Sequence, residues 1–343
     1  MRRFLQVLSS LALALGVAAP ALAQTAPPAA SAAPALVLPP LPAPPDTSFT
    51  VYSAFAKAKK QYPDISIARP PVPKSIRQYN DVVYCTLGPR TLRAEVCQPT
   101  RKRRGGYPAV LLVHGGGWRS GHRSQHLPLA QQLAARGYVC VLPEYRLSTE
   151  ALYPAAVFDL KAALRWLRAN ARQYNIDTTR VAVWGFSAGG QLATLVGTTG
   201  GNAQFEDHAC YPTHSSRVQA LVDVDGTLAF IHPESGEGDD RKGPSAATLW
   251  LGASKTDQPD LWQQPAALNH VSASTPPTLF INSAVARMHA GRDDFARQLT
   301  AFGIYHEVHT LPDTPHTFPL FNPWFQPTLE YTAAFLDKVF GKP

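Results

Sequence analysis

Val183-Trp184-Gly185-Phe186-Ser187-Ala188-Gly189-Gly190 reads as a buried strand, a Gly-x-Ser-x-Gly turn and the start of a helix. That arrangement holds a serine at a strained strand-to-helix corner with its hydroxyl exposed. Gly185 and Gly189 sit where strand and helix nearly touch, and a side chain there would clash. The pattern alone is weak. Its weight comes from what stands upstream and downstream, and the whole reads Ser187 as a nucleophile.

Upstream, Ala109 to Val113 is a continuous apolar run, as in a strand covered on both faces. His114-Gly115-Gly116-Gly117-Trp118 follows at once. Glycines at a strand end let the backbone approach a ligand and aim amide hydrogens at one point. The amides of Gly116, Gly117 and Ala188 are therefore the expected oxyanion donors. The plainer reading, a flexible Gly-rich turn, explains neither the strand-end position nor the serine downstream.

Strand-like and helix-like patterns alternate along the chain. Asp81 to Val96 reads as a hairpin around Gly88-Pro89, and Tyr138 to Leu142 as a strand. Val157, Leu160, Leu164, Leu167 and Ala171 form one stripe of a helix. Ala220 to Val224, Thr278 to Ile281 and Tyr305 to Leu311 are three more strands, with a helix from about Arg292 to Phe302 and a last one from about Pro327 to Phe340. The expectation is an α/β chain whose mostly parallel central sheet carries helices on both faces. Ligands then gather at the carboxyl ends of the strands.

The base belongs in the loop after the last strand, where Leu311 to Phe318 offers one histidine, His316. His306 and His309 lie inside the preceding strand, three residues apart, and point to opposite faces, so no metal pair is expected there. His316 taking the Ser187 proton, a carboxylate holding the imidazole, and water releasing an acyl-enzyme need neither metal nor organic cofactor.

His-Gly-Gly-Gly-Trp, the Tyr145-Arg146-Leu147 turn, Tyr153-Pro154-Ala155 before a helix holding Asp159, and Gly-Phe-Ser-Ala-Gly-Gly resemble the esterase/lipase branch of the α/β-hydrolase family from about residue 80 onward. Within it, Asp225 to Phe230, His289 to Asp293 and Pro315-His316 to Trp324-Phe325 resemble bacterial exported acetylesterases of plant polysaccharides and feruloyl-esterase-like proteins. The resemblance implies an α/β-hydrolase fold and acetyl-ester hydrolysis, with a saccharide ester as substrate. It also implies a triad acid shortly after the strand ending at Ile281. This chain has Ser283-Ala284-Val285-Ala286-Arg287 there, with no carboxylate. Asp225, at the end of the preceding strand, is placed slightly ahead of Asp293, at the start of the next helix, where helix capping is the plainer role. Asp223 shares the strand face of Asp225 and one of the two is structural. Trp118 and Trp324 are candidates to stack on a sugar ring. A lipase, a general short-acyl esterase, a peptidase and an inactive binding module remain as alternatives.

The amino terminus reads as a secretory leader. Met1-Arg2-Arg3 precedes an apolar run from Leu5 to Ala19 that is short for a membrane span, and Ala21-Leu22-Ala23 is a cleavage site, giving a leader of residues 1–23. Residues 24–45 are Ala/Pro-rich and nearly uncharged, as in an extended linker, and 46–343 suit one catalytic domain. The expected product is periplasmic or secreted, with no stable membrane insertion after leader removal. The net charge of +8 falls to +6 when Arg2 and Arg3 leave. Arg101 to Arg104 is a basic cluster without interleaved aromatics, so nucleic acid is not an expected partner. Of Cys85, Cys97, Cys140 and Cys210, the first two flank the hairpin and are the expected disulfide, while Cys140 reads as a buried thiol. Oligomeric state is left open.

Overall fold

The computed structural model describes residues 38–343; the leader and most of the Ala/Pro-rich linker lie outside the described residues. Ten strands follow in chain order: β1 (Ser66–Ile67), β2 (Ile76–Leu87), β3 (Arg90–Pro99), β4 (Tyr107–Val113), β5 (Val139–Pro143), β6 (Ile176–Phe186), β7 (Ala220–Val224), β8 (Thr278–Asn282), β9 (His306–Thr310) and β10 (Phe321–Asn322). The helices are α1 (Val51–Ala58), α2 (Leu127–Ala135), α3 (Ala155–Ala169), α4 (Ala171–Tyr174), α5 (Ala188–Thr198), α6 (Ala246–Leu251), α7 (Pro259–Gln263), α8 (Arg292–Ala301) and α9 (Phe325–Phe340). None of the described helices is long and apolar enough to cross a membrane.

Eight strands form the central sheet in the order β2-β3-β5-β4-β6-β7-β8-β9. β2 and β3 are the hairpin read from Gly88-Pro89, and β3 runs antiparallel to β5. From β5 across to β9 every neighbour is parallel. β4, β5 and β7 are buried almost throughout, as expected of largely apolar strands covered on both faces, with Asp223 the one carboxyl among them. One face packs on α3 and α5 through Val157, Leu160, Leu164 and Leu192. The other packs on α2 and α9 through Leu129, Leu133, Leu329 and Phe335. The crossing of β6 and α5 is tight enough that a Cβ on Gly189 would overlap the Val113 carbonyl at the end of β4.

The disulfide differs from the sequence expectation. Cys85 bonds to Cys210, and Cys97 and Cys140 are buried free thiols. The hairpin register explains it. Cys85 faces Leu92 across β2 and β3, whereas Cys97 faces Gln78 on one side and Cys140 on the other. Sequence proximity put Cys85 and Cys97 on one hairpin but several rungs apart. The Cys85–Cys210 link closes 125 residues of chain. A loop of that order contributes about 2–5 kcal/mol by restricting the unfolded chain.

The chain before β2 is built onto the body. The Ala43 amide donates to the Thr149 carbonyl, and Asp46 pairs with Arg119 at 2.9 Å. Ordered contact therefore starts within the stretch read as linker. α1 opens on a capping box in which the Thr50 hydroxyl accepts from the Ser53 amide and the Ser53 hydroxyl accepts from the Thr50 amide. This fixes α1 and the preceding Phe49 beside the strand ends that carry the site.

Candidate active site

Ser187 stands between β6 and α5 at φ 58° and ψ −125°, a conformation L-residues rarely adopt. Its amide donates to the Val224 carbonyl of β7, so the turn is anchored on the neighbouring strand. The strain lifts the hydroxyl above the sheet, and the amide of Ala188 begins α5, where free helix N–H groups and the helix dipole favour negative charge.

Ser187 Oγ lies 2.8 Å from His316 Nε2, and His316 Nδ1 lies 2.9 Å from Asp225 Oδ2. The hydroxyl can thus donate to Nε2 while Nδ1–H donates to the carboxylate. The three residues come from the ends of β6 and β7 and from the loop after β9. Asp225 has φ 52°, its amide donates to the Ile281 carbonyl, and its side chain is fully buried. Asp225 Oδ1 accepts from the Ser283 amide at 2.8 Å. The segment that lacks a carboxylate in sequence therefore supplies a backbone donor to the one on the adjacent strand.

The other aspartates separate clearly. Asp293 is exposed in the first turn of α8 and pairs with the guanidinium of its neighbour Arg292. It makes no contact with His316, which corrects its candidacy; first-turn dipole complementation accounts for its position. Asp223 is wholly buried, accepts from the Gly226 amide, and leaves Oδ1 without a partner. Burial first, and the Asp225 charge second, push its carboxyl well above the usual range.

Gly116, Gly117, Trp118, Ser187, Ala188, Asp225 and His316 line one cleft of about 230 Å³. Gly116, Gly117 and Trp118 have φ values of 132°, 61° and 58°, a left-handed run that turns the loop back over the serine. The loop is pinned at several points. The Gly116 carbonyl accepts from the Ser120 amide and hydroxyl, and the Trp118 carbonyl from the Ser148 amide. His114 below it stacks on Tyr145, whose hydroxyl donates to the His114 carbonyl. Burial depresses the His114 imidazole to about 4, so it packs as a neutral ring. Next to Tyr145, Arg146 grips the buried Asp159 with two nitrogens. A buried pair of this kind costs about 3–5 kcal/mol when one partner is removed.

The two tryptophans part company. Trp118 borders the cleft, but its ring stacks on Trp250 and its Nε1–H donates to Gln191 Oε1. Only 4% of it is exposed, so it forms a wall of the cleft and offers little free face to a sugar. Trp324 is absent from the cleft lining; its ring meets Tyr62 edge-on over the core at the start of α9. Closeness to His316 along the chain did not carry into space, and Trp324 is corrected to a packing residue.

Phe49, Thr227, Glu237, Ala246 and Met288 also line the cleft, and no motif in the sequence marked them. Glu237 is the chemically notable one. Burial raises its carboxyl above the ordinary range, against the pull of the Arg287, His316 and Lys255 charges.

The BD-FAE family model matches residues 95–287 of this chain. The probable carboxylic ester hydrolase LipM of Mycobacterium tuberculosis is 28% identical over 234 residues, covering 65% of this chain and 52% of that protein. The chain spans between half and three-fifths of the length of LipM and of the esterase LipC from the same organism. Among solved structures, a bifunctional GH43-CE protein of Bacteroides eggerthii is 26% identical with a TM-score of 0.65, over 77% of this chain and 38% of that one. Esterase 2 of Thermogutta terrifontis shares the fold at 22% identity and a TM-score of 0.65, over 80% of this chain and 98% of that one.

Proposed function

The chain belongs to the BD-FAE family of α/β-hydrolase esterases, and from that premise we propose that it is a serine carboxylic-ester hydrolase removing acetyl groups from plant polysaccharides or their oligosaccharides. The observation that carries the activity is the unbroken hydrogen-bond chain from Asp225 through His316 to Ser187 at the mouth of the cleft. His316 Nε2 takes the serine proton as Oγ attacks the ester carbonyl. Asp225 fixes the tautomer and stabilises the imidazolium. The amides of Gly116, Gly117 and Ala188 receive the developing oxyanion. The imidazolium then returns its proton to the leaving alcohol, and a water repeats the sequence on the acyl-enzyme.

Two observations support the acetyl reading. The first is the resemblance of Asp225 to Phe230 and of His289 to Asp293 to exported acetylesterases. The second is the size of the cleft, about 230 Å³ walled by Trp118 and Ala246, which is below the usual range for drug-sized ligands. A space of that size suits a short acyl group better than a fatty chain. The leader of residues 1–23 supports export to the periplasm or beyond, where such polymers are met. A general short-acyl esterase is the runner-up, resting on the same cleft.

The test is a series of ethyl esters from acetate to octanoate. kcat/KM is expected to be highest for acetate or propionate and to fall at least about tenfold by octanoate, each excluded methylene being worth roughly 1 kcal/mol or more. A maximum at octanoate would favour a lipase. Acetate release from acetylated xylan, compared with acetylated pectin and with ethyl acetate, separates a polysaccharide esterase from the runner-up.

A further inference from the structure

A second and larger space opens beside the cleft. It is a groove of about 800 Å³ between α1 on one side and the segments 284–288 and 313–317 on the other. The groove and the cleft share three residues, Phe49, Met288 and His316. They are continuous at the imidazole.

That junction gives the two spaces different jobs. His316 Nε2 returns its proton to the departing alcohol, so the alcohol must lie within hydrogen-bond reach of the imidazole. The acyl carbonyl must lie against the amides of Gly116, Gly117 and Ala188, which border the cleft and not the groove. We propose that the groove between α1 and the loops at 284–288 and 313–317 is the binding site for the alcohol part of the ester, and that its occupant is an uncharged, hydroxyl-rich oligosaccharide. This rests on the esterase reading above and extends it to the leaving group.

The lining fits that occupant. Lys57 and Arg287 bring two cations, and neither pairs with a carboxylate among the described residues. Asp313 in the groove and Glu237 at the adjoining cleft bring two carboxyls. With charges of both signs, the walls select neither an anion nor a cation. Gln61 and Thr317 add an amide and a hydroxyl group, and Phe49 and Tyr62 add ring surface. Hydroxyls that donate and accept at every ring position match such mixed walls, and the aromatic faces suit the C–H face of a pyranose. A hydrocarbon chain would leave the polar walls unpaired at a cost. One wall, from Ser48 to Tyr62, lies outside the stretch 95–287 matched by the family model. The selectivity would therefore come from this chain's own N-terminal segment.

The experiment fills the groove from two exposed positions. Lys57 and Gln61 both face solvent at its rim. Lys57→Trp and Gln61→Trp are compared with the parent protein on acetylated xylotetraose, ethyl acetate and ethyl octanoate. Thermal midpoints check folding and are expected to move by no more than about 2 °C, as for surface substitutions. The ratio of kcat/KM for acetylated xylotetraose to that for ethyl acetate is expected to fall at least about tenfold in both variants, from loss of contacts to the alcohol. Unacetylated xylotetraose is expected to inhibit ethyl acetate hydrolysis in the parent protein, with an inhibition constant that rises by a similar factor in each variant. An unchanged ratio, with ethyl acetate still turned over, would overturn the groove assignment alone. A fall confined to ethyl octanoate would overturn it differently, by making the groove the acyl site. Absence of Ser187-dependent turnover on all three esters would overturn the esterase reading and the groove with it.

Discussion

Ser187→Ala is expected to lower kcat for p-nitrophenyl acetate by about 100,000-fold or more, leaving only what the oxyanion donors and binding supply. The size of the loss follows from the geometry. The serine hydroxyl is the group that His316 is placed to activate for acyl-enzyme formation, and that path is lost once Oγ is gone. The fold should survive. The Ser187 amide keeps its bond to the Val224 carbonyl, and the strained backbone at φ 58° is held by β6, β7 and α5 rather than by the hydroxyl. Near-ultraviolet circular dichroism should therefore match the parent protein. Retention of a tenth of the activity would rule out Ser187 as nucleophile.

The second large effect separates the two aspartates. Asp225→Asn is expected to cost about 1,000–10,000-fold in kcat, because an amide next to Nδ1 no longer enforces the tautomer that leaves Nε2 free to accept the serine proton. The Asn oxygen can still accept from the Ser283 amide, so the side chain stays in place and the loss is electrostatic and tautomeric rather than a collapse. Asp293→Asn is expected to stay within about twofold of the parent protein, since an exposed first-turn carboxylate contributes only about 0.3–1 kcal/mol through the helix dipole. The measurement is a parallel determination of kcat at matched substrate saturation. A large loss at Asp293 with a small one at Asp225 would reverse the assignment.

Motif residues were legible because each imposes its own local geometry. The Gly-x-Ser-x-Gly glycines sit where strand and helix cross too closely for a Cβ, and Gly116 and Gly117 after Val113 take up left-handed backbone at a strand end. Parallel strands showed through for a similar reason: both faces of β4, β5 and β7 are covered, so their sequences are apolar without alternation apart from Asp223 in β7. The acid was ambiguous because its identity depends on which strand end reaches His316. That is set by sheet order and by the Ser283 amide, neither of which is written in the aspartate's neighbours. The disulfide and Trp324 failed together. In both, nearness along the chain stood in for nearness in space, and strand register and the packing of α9 on Tyr62 decided otherwise. Phe49 and Glu237 carry no pattern at all; they border the cleft because a clipped-on N-terminal segment and a long connection after β7 fold over the strand ends.

Whether Ser187 is an activated nucleophile can be read without knowing the substrate. Treating the intact protein with a fluorophosphonate probe and mapping the adduct by peptide mass spectrometry tests it in one step. One adduct per chain is expected, on Ser187, and its loss when His316 is replaced by alanine. An unreactive Ser187 in folded protein, or an adduct on another residue, would contradict it.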